Sequence, residues 1–198
     1  MSTIKVAITG NIGSGKSTFS DYLSSKGYPV LNADIISKNI LSSDKEVKIQ
    51  VINEFGANSF SGNQVNKNFL ADKVFSNPEK LVKLNSILHP KVFSSIDSII
   101  ASKYEKDNIV FVEAALIFET GMRNTFDYVV LIIADDKIRL QRSIAAKNFT
   151  EEEFDSRERN QIPQEKKMKH ADFIFSNNST EEDLFKKAEF LLLTLNKL

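Results

Sequence analysis

The chain has 198 residues, carries 26 Lys+Arg against 26 Asp+Glu, and contains two His and no Cys or Trp. At this length one full core is expected. The balanced charge removes the global field that draws in nucleic acid or an acidic membrane, and the missing cysteines exclude disulfides, iron–sulfur clusters and thiol nucleophiles. With His89 and His170 alone a histidine metal cage is excluded, so any metal is held by oxygen ligands.

In chain order, the amino terminus enters an apolar alternating run without a basic leader, so no export signal is expected and the protein reads as soluble and cytoplasmic. Ile4, Val6 and Ile8 form a short strand that ends in the glycine loop 10–15. A helix follows over 16–26 with Phe19, Tyr22 and Leu23 on one face, and Gly27 stands where a left-handed C-terminal cap is expected. Pro29-Val30-Leu31 reads as a second strand. Helical patterns over 34–41 and 45–55 flank the cap signal Ser42-Ser43-Asp44. Residues 56–68, rich in Gly, Asn and Ser, predict an excursion with little regular structure, and helices resume near Phe69. Pro78 opens a helix with Leu81, Leu84, Ile87 and Leu88 in phase; Pro90 predicts a boundary or kink at His89, with a further helix over 91–104.

The β-branched and aromatic runs 109–112 and 128–133 suit strands covered on both faces, in the middle of a sheet. The longest apolar run, 128–134, is far short of the roughly 20 residues that cross a bilayer. Helices are predicted over 136–147, 151–160 and 181–198, with a short strand Phe173-Ile174-Phe175 before the last. Strands alternating with helices predict an α/β, three-layer fold with a five-stranded parallel sheet. The expected division is a core of about 1–43, 106–136 and 171–198, a helical substrate-binding insertion of about 44–105, and a helical lid of about 137–170.

Gly10-Asn11-Ile12-Gly13-Ser14-Gly15-Lys16-Ser17 matches G-x-x-x-x-G-K-[ST] between a strand and a helix start, where the phosphate-binding mechanism needs it. The glycines let backbone N–H groups point at a phosphate chain, the helix N-terminus adds positive potential, Lys16 adds a mobile charge, and Ser17 offers a hydroxyl to Mg²⁺. Neither the N-K-x-D nor the D-x-x-G signature of a GTPase switch is present, and helicases and motors are larger, which leaves a small ATP-dependent kinase. Asp34 follows the second strand, where a carboxylate accepts a hydroxyl proton or orients Mg²⁺ through water; helix N-capping by Asp34 is the competing reading. Arg139, Arg142, Lys147, Arg157 and Arg159 fall in two adjacent helices of a lid. Arg142 is the expected phosphate ligand and Arg157 the second, while the others read as a solvated face among Glu151, Glu152, Glu153, Asp155 and Glu158. From these residues alone, a kinase of another small-molecule hydroxyl and a nucleotide-binding regulatory module both stay open.

Five segments carry a family likeness: the cradle 9–18; Asn32-Ala33-Asp34; Val74-Phe75-Ser76-Asn77-Pro78 leading to Leu88-His89-Pro90; Leu116-Ile117-Phe118-Glu119; and 157–161 followed by Ala171-Asp172 and Asn177-Asn178. In this order and spacing the chain resembles the dephospho-coenzyme A kinase family over essentially its whole length. The resemblance implies transfer of the ATP γ-phosphate to the ribose 3′-hydroxyl of dephospho-coenzyme A, with Mg²⁺ as the metal. It implies that Asn11, Ile12, Gly13, Ser14, Gly15, Lys16, Ser17 and Thr18, with Arg142 and Asn177, hold the nucleotide, Asn177 near the adenine. Asp34 would activate the hydroxyl with Lys16 and Arg142 beside the reaction, and Lys67, His89 and Leu116 would lie on the acceptor side. A monomer is expected, with an oligomer left open. Asn32 replaces the first aspartate of the family's Asp-Ala-Asp; Lys38 and Lys67 stand where arginine is usual, Ala115 for a proline and Ala146 for a lid arginine. Lysine keeps charge but loses the two-pronged grip on phosphate.

Overall fold

The structure, a computed structural model, describes residues 3–75, 77–147 and 149–197. Ser76 of the third family segment lies outside the described residues, as do the side chains of Phe75, Pro78 and Lys147. In chain order the elements are β1 (Ile4–Thr9), α1 (Lys16–Ser25), β2 (Val30–Asn32), α2 (Ala33–Ser43), α3 (Lys45–Phe55), β3 (Phe60–Ser61), β4 (Gln64–Val65), α4 (Lys67–Phe75) and α5 (Pro78–Lys103). After these come β5 (Ile109–Glu113), β6 (Tyr128–Ile133), α6 (Asp136–Lys147), α7 (Glu151–Arg159), α8 (Gln164–Lys167), β7 (Phe173–Ser176) and α9 (Glu181–Leu195).

Five strands form one parallel sheet in the order β2-β5-β1-β6-β7. In β1, Ile8 sits opposite Glu113 of β5, and Thr9 opposite Leu131 of β6. The sheet order therefore reverses at β1, and in open α/β sheets a ligand crevice forms at the carboxyl ends on either side of such a strand. The apolar runs of β5 and β6 are buried because helices cover them. On one side Phe19 and Leu23 of α1 pack with Leu184, Ala188, Leu191 and Leu195 of α9 against Val6, Ile8, Phe111 and Ile132. Each buried Phe, Leu, Ile or Val there contributes about 1.5–3 kcal/mol of transfer free energy. The C-terminal cap of α1 has the predicted form: Gly27 at φ 89° directs its N–H to Ser24 O and that of Tyr28 to Leu23 O.

The chain divides into two compact units, Met1–Leu31 with Tyr104–Leu198, and Asn32–Lys103. In the second, α2 packs on α5 and α3, so it groups with the helical insertion. Val47, Val51, Phe55, Phe60, Leu70 and Leu88 form that unit's core. Residues 56–68 are more regular than their composition predicts: a 3₁₀ turn (Ala57–Ser59) leads into the β3–β4 hairpin, closed through Gly62 at φ 61°. Phe60 and Val65 anchor that hairpin on the unit's core, and Asn66 caps α4 by accepting from Phe69 N at 3.2 Å.

A second difference is α5, which runs unbroken through Pro90. An interior proline costs about 3 kcal/mol through its missing N–H and its clash with the preceding turn. Against that, Leu88, Val92, Ile96 and Ile100 are all buried in one continuous helical phase across the proline. Ending the helix at His89 would lift that stripe off its partners, so packing overrides the local signal.

Candidate active site

The loop between β1 and α1 is shaped by close approaches that only glycine permits. A Cβ on Gly13, at φ 76°, would collide with the backbone of Arg139, and one on Gly15, at φ 93°, with the side-chain amide of Asn177. Gly15 is the N-cap of α1 and supplies no capping side chain, and the first turn of α1 carries no acid. By contrast α2, α3, α7 and α9 are each capped by a side chain, from Asn32, Asp44, Thr150 and Thr180. At α1 neither a capping side chain nor a first-turn acid offsets the positive end of the helix dipole, which suits this end to an anion. A cavity of about 430 Å³ opens there, lined among others by Gly13, Gly15, Lys16, Ser17, Thr18 and Arg142.

Asn177 and Arg142 form the wall of this cavity beside the loop. Asn177 is buried, and its Nδ2 donates to Ser14 O at 2.9 Å. Arg142 Nη1 donates to the backbone carbonyl of Asn177 at 2.8 Å. The predicted nucleotide ligands 13–18, Arg142 and Asn177 are therefore brought together. Ala146, where a lid arginine is usual, lines the same cavity without charge.

Ser17 Oγ donates to Glu113 Oε1 at 2.6 Å. Glu113 ends the otherwise apolar β5 and is buried, one strand from the loop. It is not among the residues singled out from the sequence; the available signal is a carboxylate closing an apolar strand. A serine hydroxyl and a carboxylate at the end of the adjacent strand are hard oxygen donors of the kind that suit Mg²⁺, which takes one or two protein ligands and completes its shell with water and phosphate. Among the described residues no group of three or more His, Cys, Asp or Glu that could hold a metal ion is present.

Arg139 departs from its reading as a solvated residue: it is 2% exposed. Its guanidinium donates to Glu158 at 2.7 and 2.8 Å, to Asp136 at 2.8 Å and to Ile12 O at 3.1 Å. Asn11 Nδ2 donates to Glu158 Oε1 at 3.0 Å, and Ile12 N–H to Gln161 Oε1 at 2.9 Å. The leading half of the loop is thereby tied to the C-terminal end of α7. Arg157 lies with its guanidinium 4.2 Å from the Phe149 ring centroid. Leu116 sits half-buried in the turn after β5. Ala115 takes part through its carbonyl, toward Thr9 Oγ1 and Gln161 Nε2, a role that proline would fill equally.

The remaining predicted residues stand in the helical unit. Asp34 is exposed in the first turn of α2, and the cap it was weighed for belongs to Asn32, whose side chain accepts from Ile35 N at 3.0 Å. Lys67 is exposed at the start of α4. His89 is half-buried on α5 with Phe93 beside its ring, and burial pushes its pKa down.

Comparison with known proteins bears on this geometry. Residues 4–183 match the family model described as dephospho-CoA kinase. The dephospho-CoA kinase of Fusobacterium nucleatum is 37% identical over 190 residues, covering 96% of this chain and 97% of that protein. A crystal structure from Thermus thermophilus superposes with a TM-score of 0.84 at 33% identity, covering 98% of this chain and 99% of that one. A dephospho-CoA kinase from Campylobacter jejuni superposes with a TM-score of 0.72 at 26% identity, covering 98% and 97%.

Proposed function

We propose, from the premise that this chain belongs to the dephospho-CoA kinase family, that its own residues divide the labour of phosphoryl transfer as follows. The enzyme catalyses the final step of coenzyme A biosynthesis, moving the γ-phosphate of ATP to the ribose 3′-hydroxyl of dephospho-coenzyme A. The backbone of residues 13–18 and the start of α1 hold the phosphates, and Lys16 places its ammonium beside them. Asn177 and Arg142 bound the nucleotide's side of the cavity. Ser17 and Glu113 are the residues that would hold Mg²⁺, which when bound neutralises charge on the phosphate chain. Asp34, matching the second aspartate of the family's Asp-Ala-Asp, accepts the proton of the acceptor hydroxyl. Lys67, His89 and Leu116 are assigned to acceptor binding on the same likeness.

The observation that supports this most is the uncapped start of α1 opening into a cavity beside Lys16 and the Ser17–Glu113 pair. Incubation with ATP, Mg²⁺ and dephospho-coenzyme A, followed by mass measurement, is expected to give product heavier by one phosphate. Lys16→Ala is expected to abolish turnover, and Asp34→Ala to lower kcat while ATP affinity holds. An equal loss of ATP binding in Asp34→Ala would remove that residue from the role of base.

A further inference from the structure

The loop that cradles phosphate is gripped along its outer edge by side chains from a distant part of the chain. At Ile12 both halves of the backbone are engaged, the N–H by Gln161 Oε1 at 2.9 Å and the carbonyl by Arg139 Nη1 at 3.1 Å. Arg139 is in turn held by both oxygens of Glu158, and Glu158 also receives Asn11 Nδ2 at 3.0 Å. The Asn11 side chain reaches further to Ile162 O at 3.3 Å. Asn11, Ile12 and Arg139 are nearly fully buried, so these bonds form in a region of low dielectric where an ion pair and its hydrogen bonds hold geometry firmly.

We propose that Gln161, with Glu158 acting through Arg139 and Asn11, is a positioning residue that sets the shape of the phosphate cradle. The inference rests on the reading of this loop as the ATP site and deepens it. With Ile12 fixed on both sides, Gly13 is pressed against the Arg139 backbone, and the following amides enter α1 in one orientation. Donors arranged before the ligand arrives need no reorganisation when it binds, which is how fixed dipoles stabilise charge most effectively. Gln161 does not line the cavity; it acts through Ile12.

Gln161→Met, which keeps the side chain's length and removes its acceptor along with the long 3.5 Å donation to Ala115 O, tests this. ATP affinity measured by calorimetry without acceptor is expected to fall roughly fivefold, the factor of one ordinary hydrogen bond. In steady-state assays kcat is expected to fall with it while the KM for dephospho-coenzyme A holds. Glu158→Gln is expected to shift the same quantities in the same direction, and adding it to Gln161→Met should cost less than the two single changes summed. ATP affinity unchanged in both single variants, or equal weakening toward ATP and acceptor, would overturn the proposal. The calorimetry uses no acceptor, so absence of product from dephospho-coenzyme A with the wild-type protein would sink the acceptor assignment and leave this result readable.

Discussion

Position 32 combines a helix cap with a departure from the charge that the family resemblance implies. Asn32 caps α2 through its side-chain oxygen, and Asn and Asp are near-equal N-caps, so the departure from the family's aspartate preserves the helix while removing a charge. Asn32→Asp is therefore expected to leave unfolding stability within about 0.5 kcal/mol by urea titration. In a turnover assay it should lower the Mg²⁺ concentration needed for half-maximal rate. An unchanged Mg²⁺ midpoint would take residue 32 out of metal placement. Arg139 gives the complementary case. Its helix is dense in charge and reads as solvated, but a buried guanidinium with two carboxylate partners has no local pattern that separates it from an exposed one.

Among the elements, helix starts were the most legible, because a cap is a contact between neighbours in sequence. Asp44 accepts from Glu46 N and Val47 N at 2.9 and 3.0 Å, as its place before α3 predicts. Donation by the Val47 N–H, helped by Lys91 and the Glu46 N–H, holds its carboxyl below the usual range. A lowered carboxyl pKa contributes stability that is present above the unfolded value, about 3.9, and is lost as pH falls through the folded one. Asp44→Ala should cost about 1 kcal/mol at neutral pH. The urea midpoints of variant and wild type should draw together as pH falls through the lowered folded value; a gap that stays constant in acid would mean the loss is one of packing rather than of the charged cap. In α5 the helix boundary that the local signal offered is not found. Pro90 is a strong breaker, yet the buried row from Leu88 to Ile100 runs through it, and only the partners of that row reveal that continuing the helix is favoured.

On the scale of the whole molecule, a buried ion pair joins the turn after β5 to the segment that follows α7. Lys167 is fully buried, and its Nζ lies 2.8 Å from Glu119 Oε1, off the line of a good hydrogen bond. The same carboxylate oxygen accepts from Ile162 N at 2.8 Å. Removing one member strands the other's charge in a low dielectric, so Lys167→Met is expected to destabilise the protein by roughly 3 kcal/mol in urea unfolding. Adding Glu119→Gln should recover part of that loss; no recovery would show that Lys167 acts through packing alone.

The chain's sequence determined by itself whatever depends on neighbours along the backbone: the strand, glycine loop and helix of the cradle, the caps, and the apolar runs that became the centre of the sheet. Tertiary structure alone decided which side chains complete the site. Glu113 meets Ser17 across 96 residues, and Gln161 meets Ile12 across 149. Such pairings leave no periodicity or spacing to read, because they are set by the order of strands in the sheet and by the return of the chain over it, and both follow from burial of the whole core.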